Sequence, residues 1–404
     1  MASDRADLVV IGAGTVGGWA SYFAATQGAK QVVVVERWRA GIGASSRAAG
    51  MVRAQGGTPT TVALGRWSID FYQGQQARLG TDSGFRELGY LIFAETPEEA
   101  QVGRERVSMQ RSAGLEVHWL EPDGALEHNP ELARGSFVGA SYVATDGCID
   151  PPRNVLAYSL AMQQAGVQLR EHTTFLGLRT EGRRVTGVET SGGLIETSRV
   201  ILTGGPTLRE VGRAAGVEIP AGAVRHQVAV TEPHPAFDVA RQAMGFDLGG
   251  GLYWRLEEGG LLFGMSNPDE PPGPSREIDW PYMDRMRSRL ARYLPVTTGL
   301  GLRKAWAATI DYTPDHQPIL GPAINASGEQ IDGASIASAG GHGMMWGPAV
   351  AKIAADLALE GRTDVADVHD LGLDRFDEHG RSRLATDPIA LPFPKDVAGS
   401  IPAR

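Results

Sequence analysis

Three glycines in the first twenty residues have the spacing of a phosphate-binding turn. The segment Gly12-Ala-Gly14-Thr-Val-Gly17 follows an apolar run that begins after Asp7, and it precedes a stretch of helical character. Glycines at this spacing allow a tight turn, a close approach of the backbone to a pyrophosphate, and close packing of helix on strand. Free N–H groups at the amino end of the helix can then bind the phosphates. The spacing therefore predicts a dinucleotide site.

An acidic residue stands where such a site needs a partner for the ribose. Lys30-Gln-Val-Val-Val-Val-Glu36 is a second apolar strand, and Glu36 follows Gly12 by 24 residues. A carboxylate at this point can accept hydrogen bonds from both ribose hydroxyls, and its charge repels a 2′-phosphate. We therefore predict a βαβ unit that binds an unphosphorylated dinucleotide, with Arg37 beside Glu36. The fingerprint itself does not separate NAD from FAD.

The elements that must position this unit indicate an α/β fold. Continuous apolar runs, typical of parallel strands buried on both faces, recur at 7–12, 31–36, 200–205 and 331–339. Segments of antiparallel type lie between them, which indicates a nucleotide-binding domain interrupted by a second domain. Helices are predicted near 16–28, 61–80, 97–113, 150–166, 281–293 and 347–360.

The predicted fold is a discontinuous Rossmann-like domain with a second α+β domain built on a mainly antiparallel sheet. The first domain binds the dinucleotide, and the inserted domain contributes the substrate side. The predicted boundaries are 1–88, 145–222 and 312–404 for the nucleotide-binding domain, and 89–144 and 223–311 for the substrate domain.

Composition and charge exclude several functional classes. With 42% hydrophobic and 21% charged residues in 404, the chain is not disordered, and its net charge of −9 argues against a nucleic-acid partner. The single cysteine, Cys148, excludes an intrachain disulfide and a cysteine-based metal centre. No apolar run approaches the roughly 20 residues that span a bilayer. We expect a cytoplasmic protein with no metal and no transmembrane segment.

Five later segments of the chain carry further motifs: Gly43-Ala-Ser-Ser-Arg-Ala-Ala-Gly-Met51, Val200-Ile-Leu-Thr-Gly204-Gly205, Tyr312-Thr-Pro-Asp-His-Gln-Pro-Ile-Leu-Gly-Pro322, Gly340-Gly-His-Gly-Met-Met345 and Leu373-Asp-Arg-Phe376. In this order along nearly the whole chain, they resemble the D-amino-acid oxidase superfamily of flavoproteins, which includes sarcosine and dimethylglycine oxidoreductases and glycine oxidase. The resemblance implies FAD as the cofactor.

FAD is long, so its isoalloxazine ring needs backbone from loops far from the first βαβ unit. Small residues at 43–51 and 340–345 let the backbone come close, and N–H groups of 341–345 can stabilise negative charge on the reduced ring. The resemblance implies that the Phe175 backbone meets the adenine, and that FAD is non-covalent, since no cysteine stands in the carboxyl-terminal third. The predicted cofactor-binding residues are Gly12, Gly14, Thr15, Val16, Gly17, Glu36, Arg37, Ser45, Ser46, Arg47, Ala48, Ala49, Gly50, Met51, Phe175, Gly204, Gly341, His342, Gly343, Met344 and Met345.

The resemblance also implies a reaction: oxidation of a C–N bond in a secondary or N-methylated amine or amino acid. A neutral amine lone pair assists hydride transfer to flavin N5, and the imine product hydrolyses. The electrons then pass to O₂ or another acceptor. The predicted catalytic residues are His226, Tyr253, Arg255 and His342, and the predicted substrate pocket contains Arg53, Tyr142, Arg225, Lys304, Trp306 and Met345.

This chain departs from sarcosine oxidases at two basic positions. In those enzymes a basic residue follows the Gly-His-Gly loop, where this chain has Met345, and a lysine lies on a floor strand, where Leu261-Leu-Phe-Gly-Met265 has none. An amino-acid carboxylate is usually held by Arg or Lys through charge-assisted hydrogen bonds. The cations left for that role are Arg53, Arg225, Arg255 and Lys304.

Three alternatives stay open at this stage. The same fold could oxidise a 2-hydroxy acid or another C–OH substrate, with His226 or His342 as the base. The chain could instead be a non-catalytic flavoprotein that acts as an assembly factor, or an NAD-linked dehydrogenase. The sequence does not name the substrate, the electron acceptor or the oligomeric state.

Overall fold

Five neighbouring strands of the first large sheet are all parallel to one another. In the computed structural model, which describes residues 4–237 and 239–389, they run in the order Gln330–Ser338, Val200–Leu202, Leu8–Ile11, Val32–Val35 and Gln168–Arg170. Every residue of Leu8–Ile11 and Val32–Val35 is buried, as expected for parallel strands covered on both faces. The remaining strands of this sheet are Asp4–Arg5, Phe175–Glu181, Arg184–Thr190, Gly193–Glu196 and Ile319–Ile324.

The second large sheet is mainly antiparallel. Among its neighbouring strands only Met244–Asp247 and Tyr90–Ala94 pair in parallel. Its longest pairing joins Gly222–Thr231 to Leu302–Tyr312, and it sets His226 opposite Ala308. The strands, in sheet order, are Leu302–Tyr312, Gly222–Thr231, Gly260–Met265, Leu252–Glu257, Met244–Asp247, Tyr90–Ala94, Gly139–Val143 and His118–Leu120.

The helices begin and end at residues suited to those positions. Pro59–Leu79 is capped by the Thr58 side chain, has Pro at its first position and ends at Gly80 with a φ of 67°. Thr15–Thr26 begins directly at the glycine turn, where Gly14 occupies the N-cap position. The α-helices of the described residues are Thr15–Thr26, Pro59–Leu79, Pro97–Ser112, Pro122–His128, Pro151–Gln164, Leu208–Ala214, Trp280–Tyr293 and Gly347–Glu360.

A small three-stranded sheet connects the glycine-rich loop 43–51 to the second large sheet. Met51–Val52 pairs with Gly147–Cys148, which pairs in turn with Arg86–Glu87. Just beyond it, the carboxylate of Asp146 accepts hydrogen bonds from Ala54 N (2.7 Å) and Gln55 Nε2 (3.1 Å). Burial raises the pKa of Asp146 to about 7. These contacts fix the chain where it leaves loop 43–51.

The predicted α/β fold, with a Rossmann-like sheet and a second, mainly antiparallel sheet, is confirmed. Strands of the first sheet lie within 4–35, 168–202 and 319–338, and those of the second lie within 90–143 and 222–312. The exact division into two domains stays a prediction.

Some local predictions were incomplete. The segment 251–264 is a hairpin of two strands, and the short elements Pro122–His128, Leu208–Ala214 and Met244–Asp247 were not predicted. Elements of this length contain too few residues to show a hydrophobic period. No helix in the described part of the chain combines the length and apolar character required to cross a membrane.

Candidate active site

A cavity of about 1170 Å³ is lined by residues of both large sheets and of the loops between them. Glu36, which follows strand Val32–Val35 of the first sheet, lines the cavity. Tyr253, on a strand of the second sheet, also lines it. Ligand cavities of this kind commonly occur at the boundary between structural units. The dinucleotide turn and the predicted substrate residues therefore share one space.

The glycine turn is packed too closely for any side chain. A Cβ atom added at Gly17 would lie 1.9 Å from the carbonyl oxygen of Gly12, and Gly12 itself has a φ of 96°. Gly14, at the N-cap position, and Val16 line the cavity, so first-turn N–H groups that a helix cannot pair internally border it. The turn has the form that binds a pyrophosphate.

Glu36 is fixed at the end of its strand. Its Oε2 accepts a hydrogen bond from Ala13 N (2.9 Å), and its Oε1 accepts one from Trp38 N (2.9 Å). Each carboxylate oxygen keeps a second lone pair. Glu36 can therefore still accept from a ribose hydroxyl while its rotamer is held by the backbone.

Loop 43–51 is held in place by hydrogen bonds from three residues outside it. Ser45 Oγ accepts a hydrogen bond from Thr15 N (3.0 Å), which ties the loop to the first helix. On the other side, Arg255 Nε donates to the Ala49 carbonyl (2.7 Å), and Trp306 Nε1 donates to the Arg47 carbonyl (2.8 Å). Arg255 and Trp306, on the second sheet, thus position a loop that lines the cavity.

Loop 340–345 has two backbone N–H groups with no partner. Gly340 has a φ of 56°, and a Cβ there would lie 2.8 Å from the Gln317 carbonyl oxygen. Within the described residues, the N–H groups of Gly343 and Met344 make no hydrogen bond, although both residues line the cavity. The set of N–H donors predicted for residues 341–345 is therefore smaller, because the His342 N–H donates to the Ala339 carbonyl and the Met345 N–H donates to the His342 carbonyl.

His342 is buried beside this loop. Its Nδ1 lies 3.1 Å from the Gly340 carbonyl oxygen, and its ring lies 4.2 Å from that of Trp346. Burial, together with the positive charge of Arg53, lowers the pKa of His342 to about 3. The ring is therefore neutral at pH 7.

His226 and Tyr253 form a hydrogen-bonded pair on the opposite wall. His226 Nε2 lies 2.7 Å from Tyr253 Oη, and the two rings are within 12° of parallel. Burial lowers the pKa of His226 to about 4 and raises that of Tyr253. Both side chains are consequently neutral at pH 7, and both line the cavity.

Arg53 is a buried cation in the cavity wall that forms no ion pair within the described part of the chain. Its side chain is 4% exposed, and its guanidinium donates to the carbonyl oxygens of Gln55 and Ile389. Among the residues that the structure describes, no carboxylate oxygen lies within 4.0 Å of it. A buried arginine normally has an anionic partner. Arg53 therefore offers a site for the carboxylate of a ligand.

The structure brings most of the predicted site residues together. Every predicted cofactor-binding residue except Ser46 lines the cavity, as do His226, Tyr253, His342, Arg53 and Met345. Ser46 lies in the short helical turn Ala44–Ser46 but outside the cavity lining. Arg255 and Trp306 also lie outside the cavity lining. Their side chains instead hold loop 43–51 in place.

Three further pocket candidates lie away from the cavity. Tyr142 stacks on His128 with ring centroids 3.8 Å apart. Lys304 extends to Glu258 (3.4 Å) and is half exposed.

Arg225 is the third of these candidates. It pairs with Glu270 (2.7 Å) and Asp279 (3.5 Å). It follows Val224 and precedes His226 on the same strand, and adjacent residues of a strand point to opposite faces. Arg225 is therefore unavailable to a ligand in the cavity.

Sequence reasoning missed several lining residues. Tyr90 and Phe246 lie on buried strands whose apolar pattern does not show which face meets a cavity. Asp311, whose carboxylate accepts from Ser338 Oγ (3.0 Å), also lines it, and burial raises its pKa. Ile389 belongs to an irregular segment and carries no sequence signal.

Comparison with known proteins places the geometry in context. The family model described as "DAO: FAD dependent oxidoreductase" matches residues 7–357. The chain is 27% identical to 4-methylaminobutanoate oxidase (formaldehyde-forming) of Paenarthrobacter nicotinovorans, over 93% of this chain and 46% of that protein. It is 26% identical to sarcosine oxidase subunit beta of Rhodobacter capsulatus, over 93% and 89% of the two chains.

Solved structures of amino-acid oxidoreductases are also similar to this chain. L-proline dehydrogenase from P. horikoshii is 25% identical and superposes with a TM-score of 0.83, covering 90% of this chain and 96% of that one. Glycine oxidase from Geobacillus kaustophilus is also 25% identical, with a TM-score of 0.80, covering 93% and 100%. The chain spans less than half the length of some relatives, among them rat dimethylglycine dehydrogenase, of which it covers 43%.

Proposed function

We propose, from the premise that this chain belongs to the DAO family of FAD-dependent oxidoreductases, that it oxidises a C–N bond of an N-methylated or other secondary amino acid. The observation that carries this proposal is that the buried Arg53, which forms no ion pair with any described residue, lies in the same cavity as the His226–Tyr253 pair and the dinucleotide turn. A carboxylate bound to Arg53 would place the neighbouring amine inside that cavity.

The residues present fit FAD. The glycine turn and Glu36 suit the pyrophosphate and the ribose, and Phe175 lines the cavity near them, as expected for an adenine contact. The N–H groups of Gly343 and Met344, to which the described residues offer no acceptor, would meet an electron-rich edge of the ring system. When bound, FAD accepts the hydride that leaves the carbon next to the amine nitrogen.

The chain's own groups would bind and orient the substrate. Arg53 forms charge-assisted hydrogen bonds with the carboxylate. When the His226 proton is on Nδ1, Nε2 accepts a hydrogen bond from the Tyr253 hydroxyl. Tyr253 Oη can then accept a hydrogen bond from the amine N–H. Arg53 and Tyr253 are both buried, and the low dielectric constant of buried surroundings strengthens both contacts.

Several finer statements are also proposals. FAD would be held non-covalently, which agrees with the burial of Cys148 and its absence from the cavity lining. O₂ or another acceptor would reoxidise the flavin, and a cytoplasmic location remains an expectation from the sequence.

A substrate panel under anaerobic conditions tests the proposed function. We expect N-methylated amino acids to bleach the flavin absorbance of the wild-type holoenzyme, because they present a carboxylate to Arg53 and an amine to Tyr253. The panel also contains primary amino acids, amines without a carboxylate, and 2-hydroxy acids. Bleaching by 2-hydroxy acids alone would contradict the amine hypothesis and favour neutral His226 as a base. No bleaching by any member would favour the assembly-factor alternative.

Replacing Tyr253 with phenylalanine tests the hydrogen-bonded pair. We expect the rate constant of flavin reduction to fall by about 10- to 100-fold, since the amine loses its acceptor. Because the pKa of His226 is lowered to about 4, the wild-type rate should show no histidine inflection between about pH 6 and 9 and should follow amine deprotonation. Anaerobic stopped-flow absorbance measures both properties.

Tyr142→Phe is the matched control for that variant, since Tyr142 stacks on His128 away from the cavity. Its rate constant should equal that of the wild type. An unchanged rate in Tyr253→Phe, or an equal loss in both variants, would show that the pair has no role in the reaction.

A further inference from the structure

Segment 382–389 is anchored firmly to residues 315–317, and its last residue borders the cavity. Ser382 Oγ donates to Asp315 Oδ2 (2.6 Å), and Asp387 N donates to the Asp315 carbonyl (3.1 Å). Between these points, Gln317 Nε2 donates to the Ala385 carbonyl (3.0 Å). Asp315 is itself held by a buried ion pair with Arg375 (2.7 Å). The segment is therefore a fixed part of the structure.

Ile389 turns from this segment into the cavity wall. The residue borders the cavity and is otherwise packed against protein, with 0% of its surface exposed. It packs in an apolar cluster that includes Met51, Tyr90, Phe246 and Tyr253. Two of these residues, Met51 and Tyr253, belong to the predicted cofactor and catalytic sets. Ile389 thus forms an apolar wall beside the proposed position of the substrate.

The same residue also orients the proposed carboxylate site. The Ile389 carbonyl accepts a hydrogen bond from Arg53 Nη2 (2.9 Å). In a substrate whose carboxylate binds Arg53, the α-carbon is bonded to that carboxylate and carries the nitrogen. Both atoms would therefore lie close to the guanidinium. The apolar groups on those atoms would then lie within reach of the Ile389 side chain.

Ile389 lies outside the part of the chain that the family model matches, which ends at residue 357. The glycine turn, loop 43–51, the His226–Tyr253 pair and loop 340–345 all lie inside that part. One residue of the cavity lining therefore comes from a segment beyond the region matched by the family model.

We propose that Ile389 is a specificity-determining residue that limits the size of the apolar group on the substrate nitrogen or α-carbon. This inference rests on the proposed function. A hydrophobic wall discriminates between substrates that differ by one methylene by about 10- to 200-fold. Alanine at this position removes three carbons from the wall, and phenylalanine adds bulk to it.

Two variants with opposite expected effects test the proposal. Ile389→Ala should raise the ratio of kcat/KM for an N-propyl amino acid to that for its N-methyl counterpart by about 10-fold or more, and Ile389→Phe should lower it by a similar factor. Leu371→Ala is the control, because Leu371 is an equally buried residue of the same carboxyl-terminal region that does not line the cavity. Its ratio should match the wild type. If Ile389→Ala does not retain FAD, Ile389→Val should give a smaller shift in the same direction.

Binding of inert carboxylic acids separates this inference from the proposed function. Straight-chain and branched acids are titrated into each holoenzyme, and the perturbation of the flavin absorbance reports their affinity without turnover. We expect Ile389→Ala to favour longer and branched acids, and Ile389→Phe to favour acetate. The same order of affinities in wild type and both variants would overturn the inference. Failure of every amine to reduce the flavin would overturn only the proposed function.

Discussion

Arg53→Met is expected to lower kcat/KM for N-methylated amino acids by about 100- to 1000-fold, because truncating one partner of a buried, hydrogen-bonded charge pair costs several kcal/mol. Of the four cations predicted to bind a carboxylate, Arg53 is the one that lines the cavity, and no carboxylate oxygen of the described residues lies within 4.0 Å of it. Anaerobic flavin reduction at varied substrate concentration would show most of the loss as weaker binding. Amines that lack a carboxylate should be affected little.

Arg53→Lys provides a graded comparison. Lysine retains the charge but not the planar fork that binds a carboxylate through two parallel hydrogen bonds, so an intermediate loss is expected. Lys304→Met is the control, since Lys304 pairs with Glu258 outside the cavity and its removal should leave kcat/KM unchanged. If kcat/KM fell equally for substrates with and without a carboxylate, Arg53 would not bind the substrate carboxylate. Its role would then be structural, through its hydrogen bonds to the carbonyl oxygens of Gln55 and Ile389.

Gly17→Ala is expected to weaken FAD binding by about 100-fold, because overpacking of a close contact costs about 1–3 kcal/mol and here displaces the phosphate-binding turn itself. The added Cβ would lie 1.9 Å from the Gly12 carbonyl oxygen, a distance that only a backbone shift can relieve. Fluorescence titration of the apoprotein with FAD measures the dissociation constant, and circular dichroism checks that the fold survives.

Gly124→Ala is the matched control for that substitution. Gly124 lies in the helix Pro122–His128, where a Cβ would meet only Leu120 side-chain atoms at 3.6 Å, an ordinary contact distance. Alanine favours a helix over glycine, so FAD affinity should be unchanged and stability equal or higher. Wild-type FAD affinity in Gly17→Ala would contradict the assignment of the 12–17 turn to the pyrophosphate.

The dinucleotide half of the site could be predicted because its signals are local. The spacing of Gly12, Gly14 and Gly17 specifies a backbone conformation within six residues, and the next apolar strand places Glu36 at a known distance from it. In the structure Glu36 accepts a hydrogen bond from Ala13, inside that turn. The distant loops at 43–51 and 340–345 carry the same kind of signal, since small residues allow close approach of the backbone.

The substrate half was predictable only in part. His226, Tyr253 and Arg53 reach the cavity, whereas Arg225, Tyr142 and Lys304 do not. Adjacent residues of a strand face opposite sides, so a one-residue change of register would exchange Arg225 for His226. Nothing in the sequence fixes that register, because it depends on the pairing of Gly222–Thr231 with Leu302–Tyr312, about eighty residues later in the chain.

The sequence by itself therefore determined the fold class, the dinucleotide turn and its acidic partner, because short-range patterns of glycine and apolar residues specify backbone geometry directly. Only the tertiary structure decided which of the four candidate carboxylate-binding cations lines the cavity, that His226 pairs with Tyr253, and that Ile389 borders the same cavity. These features depend on contacts between segments far apart in the chain. Such contacts are set by the packing of whole sheets, to which every residue of the core contributes.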